Sequence, residues 1–187
     1  MESFFNIKNK LYIFKNVISE DFAKSLINHS NNKLNNDIQT INHANHIEII
    51  CVDDKLRYIV NNEILKYIKL IYKDDLDTIN AHESAFLIYK ENHYMSIHQD
   101  GGAIENPRIC TSVLYLNDRP EIALGGELIC YDGDYNNNEI IYTYSPKIGD
   151  LIIFDSFYNK DEKALLHSVN TIHDWERFTY RAYWQTN

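Results

Sequence analysis

His98 and Asp100 stand two residues apart in the segment Ile97-His98-Gln99-Asp100-Gly101-Gly102. Side chains alternate along an extended chain, so the imidazole and the carboxylate share one face while Gln99 points the other way. So placed, they can occupy adjacent positions on one metal ion. A second imidazole from elsewhere would complete a two-His-one-carboxylate set, which leaves positions open on Fe(II). The triplet alone is a common spacing in a chain with 8 His and 27 acidic residues. The rest of the sequence has to supply its partners.

Among the later histidines, His167 in Ala164-Leu-Leu-His-Ser-Val169 is the best third ligand. It sits in an apolar run, where an imidazole needs either a metal or a backbone carbonyl to satisfy it. His82 and His93 flank strands and His173 lies in a polar turn, so these are expected at the surface. Arg177 follows ten residues after His167 and opens the run Arg177-Phe-Thr-Tyr-Arg-Ala-Tyr-Trp184. An arginine aimed inward is costly unless it meets an anion, and its planar fork suits a carboxylate. Thr179 and Arg181 share the face of Arg177, with Phe178, Tyr180 and Trp184 on the other. Both faces carry bulky groups, so alternation leaves open which one is inward.

The elements that must hold these residues read as α+β. A strand is expected over residues 11–15, then a helix capped by Ser19, with Glu20 and Asp21 in its first turn and Phe22, Leu26 and Ile27 on its buried side. The Asn-rich stretch 30–47 reads as an exposed loop, with His43 and His46 solvated. Leu56, Ile59, Val60, Ile64, Ile68 and Ile71 recur at three- and four-residue intervals, which predicts an amphipathic helix over 54–72 covering one face of a sheet. Beyond residue 80, eight short apolar or aromatic runs alternate with polar turns: 84–89, 94–98, 110–116, 127–131, 140–144, 151–154, 164–169 and 177–184. That spacing predicts an antiparallel sandwich or jelly-roll barrel. No repeat or long linker interrupts the chain. The expectation is one domain over 1–187, with helical support in 1–80 and the barrel in 81–187.

Composition narrows the partners. With 187 residues, 44% of them apolar and 13% aromatic, the chain can bury a real core. A formal charge of −9 argues against a broad phosphate-binding surface. Cys51, Cys110 and Cys130 are odd in number and widely spaced, as reduced thiols of a cytoplasmic protein would be. No basic leader followed by an apolar run appears, and no stretch approaches the ~18 apolar residues of a membrane span. Nothing in the sequence sets an oligomeric state.

Taken together, these residues resemble the Fe(II)- and 2-oxoglutarate-dependent oxygenases, and within them the prolyl 4-hydroxylase-like branch that includes the oxygen-sensing prolyl hydroxylases. The family pattern of His-x-Asp, a distal His, and an Arg or Lys nine or ten residues later is matched by His98, Asp100, His167 and Arg177. Arg108-Ile-Cys-Thr-Ser-Val-Leu-Tyr-Leu-Asn117 resembles the branch's strand ending in Tyr-Leu-Asn, and Gly125-Gly-Glu-Leu128 its Gly-Gly-Glu turn. Pro146-Lys-Ile-Gly-Asp-Leu-Ile-Ile-Phe154 is similar to the turn and strand that precede the distal histidine. The likeness covers about residues 80 to 185, and it implies a double-stranded β-helix, a cupin-like jelly roll, with the N-terminal helices packed on one sheet.

Carried over residue by residue, the resemblance implies that His98, Asp100 and His167 bind Fe(II). Arg177 and Tyr115 would hold the distal carboxylate of 2-oxoglutarate, with Thr179 as a second donor. Tyr89 matches the tyrosine opening the family's Y-x-x-G segment, although Asn92 replaces the glycine. The implied reaction consumes O2 and 2-oxoglutarate, releases succinate and CO2, and hydroxylates an amino-acid side chain. A prolyl residue in a peptide or protein is the first expectation, with ascorbate as reductant. Hydroxylation of a free amino acid or metabolite comes next. Met95-Ser-Ile-His-Gln-Asp100 also resembles the nucleic-acid demethylases, but those usually repeat an arginine six residues after their cosubstrate arginine, whereas Arg177 and Arg181 are four apart. A barrel that only binds is the last alternative, against which the intact ligand set counts. Substrate choice is expected in the loops 101–108, 132–139 and 155–163, with Arg181 and Arg108 as substrate contacts at the barrel mouth or, for Arg181, as half of a structural ion pair.

Overall fold

The computed structural model describes residues 4–7, 10–36, 40–50, 53–72, 79–101, 108–156 and 164–186. In chain order they form β1 (Phe4–Ile7), β2 (Leu11–Phe14), α1 (Glu20–Asn35), β3 (Thr40–Asn42), β4 (Ile47–Ile50), α2 (Asp54–Ile71), β5 (Ile79–Tyr89), β6 (Met95–His98), β7 (Arg108–Tyr115), β8 (Leu128–Gly133), β9 (Asn138–Tyr144), β10 (Leu151–Asp155), β11 (Leu166–Val169) and β12 (Arg177–Thr186). An eight-stranded sheet runs β1-β2-β10-β7-β12-β5-β4-β3, and a four-stranded sheet runs β6-β11-β8-β9. The pairings are antiparallel, as in the expected double-stranded β-helix.

Strict two-residue alternation builds two cores from the large sheet. Tyr12, Phe14, Phe86, Ile88, Cys110, Leu114, Leu151, Ile153, Phe178, Tyr180 and Trp184 face the helices, where Ala23, Leu26, Val60, Ile64 and Ile68 meet them. Their sequence neighbours Leu11, Ile13, Leu87, Tyr89, Val113, Tyr115, Ile152 and Phe154 face the small sheet, which contributes Leu128, Cys130 and Val169. In β12 this decides the open question. Phe178, Tyr180 and Trp184 lie beneath the helices, so Arg177, Thr179 and Arg181 point between the sheets.

Both helices begin on side-chain caps. Ser19 Oγ accepts from the Phe22 N–H at 3.2 Å, and Asp53 Oδ1 accepts from the Leu56 N–H at 3.0 Å. The helix and strand expectations hold with end shifts of a few residues; β5, for example, begins at Ile79 rather than Ser84. Three differences stand out. The stretch 30–47 is not one loop, because α1 continues to Asn35 and β3 pairs with β4 to extend the sheet edge. Ile59 is exposed, the helix turning it away from the stripe that buries Val60, Ile64 and Ile68. Strands β1, β3 and β4, three or four residues each, add pairings that their sequences did not signal. Cys110 and Cys130 are buried free thiols, and Cys51 lies outside the described residues. Among the described residues, no helix is long and apolar enough to cross a membrane.

Candidate active site

Strands β6 and β11 pair with His98 directly opposite His167, and their ring centroids are 4.1 Å apart. Asp100, two residues past His98, turns into the same space. Its Oδ1 lies 3.2 Å from His98 Nε2 and its Oδ2 3.6 Å from His167 Nε2. One donor atom from each of the three residues falls within 4.8 Å of the others. Each imidazole spends its remaining nitrogen on a carbonyl two residues upstream: His98 Nδ1 on Ser96 O at 2.9 Å, His167 Nδ1 on Leu165 O at 3.1 Å. Those bonds place a ring proton on each Nδ1 and turn both Nε2 atoms toward the carboxylate.

Electrostatics keep Asp100 and His167 in their ligating forms. Burial would raise the Asp100 carboxyl, but the adjacent His167 and His98 and the Thr111 hydroxyl outweigh it and hold the group below the usual carboxylate range. Thr111 is itself tied to Ser156 Oγ at 2.6 Å. Burial drops His167 to about 4, so it is neutral near pH 7. At His98 burial acts in the same direction, but the hydrogen bond and charge of Asp100 exceed it and raise the value.

Arg177 lies across the cavity from this cluster and is 2% exposed. Its Nη2 donates to Tyr115 Oη at 3.2 Å, and the guanidinium sits 4.8 Å from the Tyr89 ring centroid and 5.1 Å from that of Tyr115. Its Nε has no hydrogen-bond partner, and no carboxylate pairs with it among the described residues. A buried cation without a counter-ion is costly. The free edge of Arg177 can therefore accept a carboxylate. Register supplies the neighbours, with Tyr89 opposite Arg177 on β5 and Tyr115 opposite Thr179 on β7. Thr179 lines the cavity and reaches Leu87 O at 3.5 Å. Burial pushes the Tyr89 phenol up to about 12 and also raises Tyr115, so both stay neutral donors.

The family-like turns have visible jobs. Asn117, closing Tyr-Leu-Asn, accepts from the Phe178 N–H at 2.9 Å and donates to Glu176 O at 2.7 Å, which clamps the chain on either side of Arg177. Asn92, in place of the expected glycine, has φ +65°, a left-handed conformation that asparagine tolerates better than most side chains.

Other candidates are placed differently. Arg181 reaches the cavity wall, but its guanidinium is bound to Glu48 Oε1 at 2.7 Å, Glu83 Oε1 at 2.6 Å and Tyr183 Oη at 2.8 Å. The structural ion pair is present. Arg108 stacks 3.4 Å from the ring centroid of Tyr183, which lines the cavity, and lies 3.8 Å from Glu83, but does not itself line the cavity. The loop segments 102–107 and 157–163 lie outside the described residues. His82 is exposed; His173 is partly exposed and paired with Glu91. His46 departs from expectation: it is 9% exposed, lines the cavity and stacks on Tyr89 with centroids 5.4 Å apart. Burial pulls its pKa to about 4. The alternation His46-Ile-Glu48 running into Ile49-Ile50 was the available signal, and the surrounding asparagines hid it.

Residues 84–185 match the family model of the 2OG-Fe(II) oxygenase superfamily. The chain belongs to that superfamily. It is a 2-oxoglutarate-dependent dioxygenase, for which the family implies Fe(II), 2-oxoglutarate and O2. No curated protein sequence matches it significantly. Solved structures share the fold. The viral collagen prolyl hydroxylase of Paramecium bursaria Chlorella virus-1, solved with 2OG, is 19% identical at TM-score 0.70, over 95% of this chain and 96% of that one. A Pseudomonas putida prolyl-4-hydroxylase is 16% identical at TM-score 0.71, over 96% and 94%. The α-ketoglutarate-dependent epimerase SnoN of nogalamycin biosynthesis is 12% identical at TM-score 0.76, over 95% and 78%. The donor set of this oxygenase fits its family's metal: two imidazoles with oriented Nε2 lone pairs and one ionised carboxylate suit Fe(II) and leave room for further ligands.

Proposed function

We propose that this oxygenase hydroxylates an amino-acid side chain, most simply a prolyl residue of a peptide or protein. In this reading His98, Asp100 and His167 hold Fe(II), and Arg177 holds the distal carboxylate of 2-oxoglutarate. Fe(II) with O2 and 2-oxoglutarate supplies the oxidising chemistry, with succinate and CO2 as coproducts and ascorbate as the reductant that keeps iron ferrous. The chain's own part is geometric and electrostatic. Tyr115 fixes one edge of the Arg177 fork, Tyr89 covers its face, and Thr179 adds a donor on the same wall. Leu87, Val113, Leu128, Phe154 and Val169 add apolar wall to the cavity, which limits water around the reacting groups.

The observation that carries the reading is the buried Arg177, with no counter-ion among the described residues, facing the oriented His98-Asp100-His167 set across one cavity. The prolyl assignment draws support from the prolyl hydroxylases among the fold's relatives and from the Tyr-Leu-Asn and Gly-Gly-Glu segments. Because the fold is shared with SnoN, an epimerase of nogalamycin biosynthesis, oxidation of a free amino acid or metabolite is the second reading. A mass-shift screen distinguishes them. Proline-containing peptides and free amino acids are incubated with the enzyme, Fe(II), ascorbate and 2-oxoglutarate. A gain of one oxygen on a prolyl peptide with equal succinate supports the proposal; oxygen gained only on free amino acids gives the second reading.

A further inference from the structure

A second group of metal-binding donors lies at the rim of the same cavity, on the hairpin formed by β3 and β4. The ladder pairs Asn42 with Ile47, and the His43 N–H donates to His46 O at 2.9 Å, so these two histidines are the next cross-strand pair. Directly opposite residues share a face, and so do residues two apart on one strand. His43, His46 and Glu48 therefore project to one side of the hairpin as a consequence of backbone register. The side chains agree. The imidazoles stack with centroids 4.3 Å apart at 12°, His43 Nε2 is 3.2 Å from Glu48 Oε2, and one donor atom from each residue lies within 4.8 Å of the others.

Two further features fit a ligand set better than a solvated turn. His46 is nine-tenths buried, yet its Nδ1 has no hydrogen-bond partner among the described residues. A buried nitrogen left so is costly unless something binds it. Glu48 is oriented from behind, its Oε1 held by Arg181 at 2.7 Å, which frees Oε2 to face the histidines. His43 is exposed and keeps an entry path open from solvent.

We propose that His43, His46 and Glu48 form a second site for a divalent cation of the Zn2+, Co2+ or Ni2+ type, separate from the His98-Asp100-His167 set. Two imidazoles select these borderline ions over Mg2+ and Ca2+, which prefer all-oxygen surroundings. Water completes the coordination. Because His46 stacks on Tyr89, the occupied site pins the hairpin at the rim of the cavity.

The test is a count of bound metal. The full chain, stripped of metal, is titrated with Zn2+ by calorimetry and with Co2+ by visible absorption, as wild type, His43→Ala, Asp100→Ala and the double variant. The expected result is two equivalents for wild type, one for each single variant and none for the double. His43 is exposed, so its replacement leaves the fold intact, and circular dichroism checks this. Wild-type stoichiometry in His43→Ala, or no metal bound by Asp100→Ala, overturns the proposal. Failure of the catalytic-site assignment looks different: Asp100→Ala would then lose nothing while His43→Ala still loses one equivalent.

Discussion

His98 and His167 are direct cross-strand partners on β6 and β11, with Asp100 within 3.6 Å of both Nε2 atoms. The spacing of the two imidazoles is thus set by an antiparallel ladder rather than by loop conformation. Backbone carbonyls of the same strand segments orient both rings. A donor set built this way is in place before any ion arrives, so metal binding should cost little reorganisation.

Replacing Arg177 by Met removes a buried charge that no carboxylate neutralises among the described residues. Its loss should leave the unliganded protein as stable as wild type or more so, since a buried unpaired cation opposes folding. Affinity for 2-oxoglutarate should meanwhile fall about 10- to 100-fold, the equivalent of ~1.5–3 kcal/mol for a hydrogen bond to a charged group. Urea unfolding without ligand, together with the KM for 2-oxoglutarate, separates the two effects. A large loss of unliganded stability would show that Arg177 is structural.

Arg181 should behave in the opposite way. It bridges Glu48 and Glu83 at 2.7 and 2.6 Å, and Glu48 is largely buried. Arg181→Met strands the Glu48 carboxylate and is expected to cost about 3 kcal/mol of stability, most of it from Glu48 because Glu83 is solvent-screened. Adding Glu48→Gln should restore part of the loss in the same urea measurement. Unchanged stability with a raised substrate KM would instead make Arg181 a substrate contact.

Gly125 explains why the Gly-Gly-Glu turn needs its first glycine. Its φ is +76°, and a Cβ there would sit 1.6 Å from the Thr171 carbonyl oxygen, just beyond β11. Gly125→Ala should therefore lower stability by at least about 2 kcal/mol, read as a fall in Tm. Because the Gly126 N–H bonds Asn170 O at 3.1 Å in the same contact, displacement of the chain after His167 should also weaken metal binding.

These cases mark what could be read from the residues alone. The eight runs beyond residue 80 were legible because long, apolar, two-residue alternation has few other meanings, and the Arg177 spacing from His167 tied the last two of them to one site. Which face of β12 was inward could not be read, since aromatic residues and long arginines both bury; only the helices resting on Phe178, Tyr180 and Trp184 decide it. β3 and β4 are three and four residues long, and their stability comes from pairing at a sheet edge rather than from local pattern. His46 was missed with them, as was Asn117, whose task of clamping the chain around Arg177 exists only between strands distant in sequence.

The central claim, that His98, Asp100 and His167 hold the iron on which 2-oxoglutarate binds opposite Arg177, is tested most directly by anaerobic calorimetric titration of 2-oxoglutarate. Wild type and Asp100→Ala are each titrated with and without Fe(II). The account predicts that wild type binds 2-oxoglutarate strongly only when Fe(II) is present. It predicts that Asp100→Ala loses at least about 100-fold, beyond the 10- to 100-fold typical of outer-shell changes. Equal affinity with and without Fe(II), or binding untouched by Asp100→Ala, would contradict it.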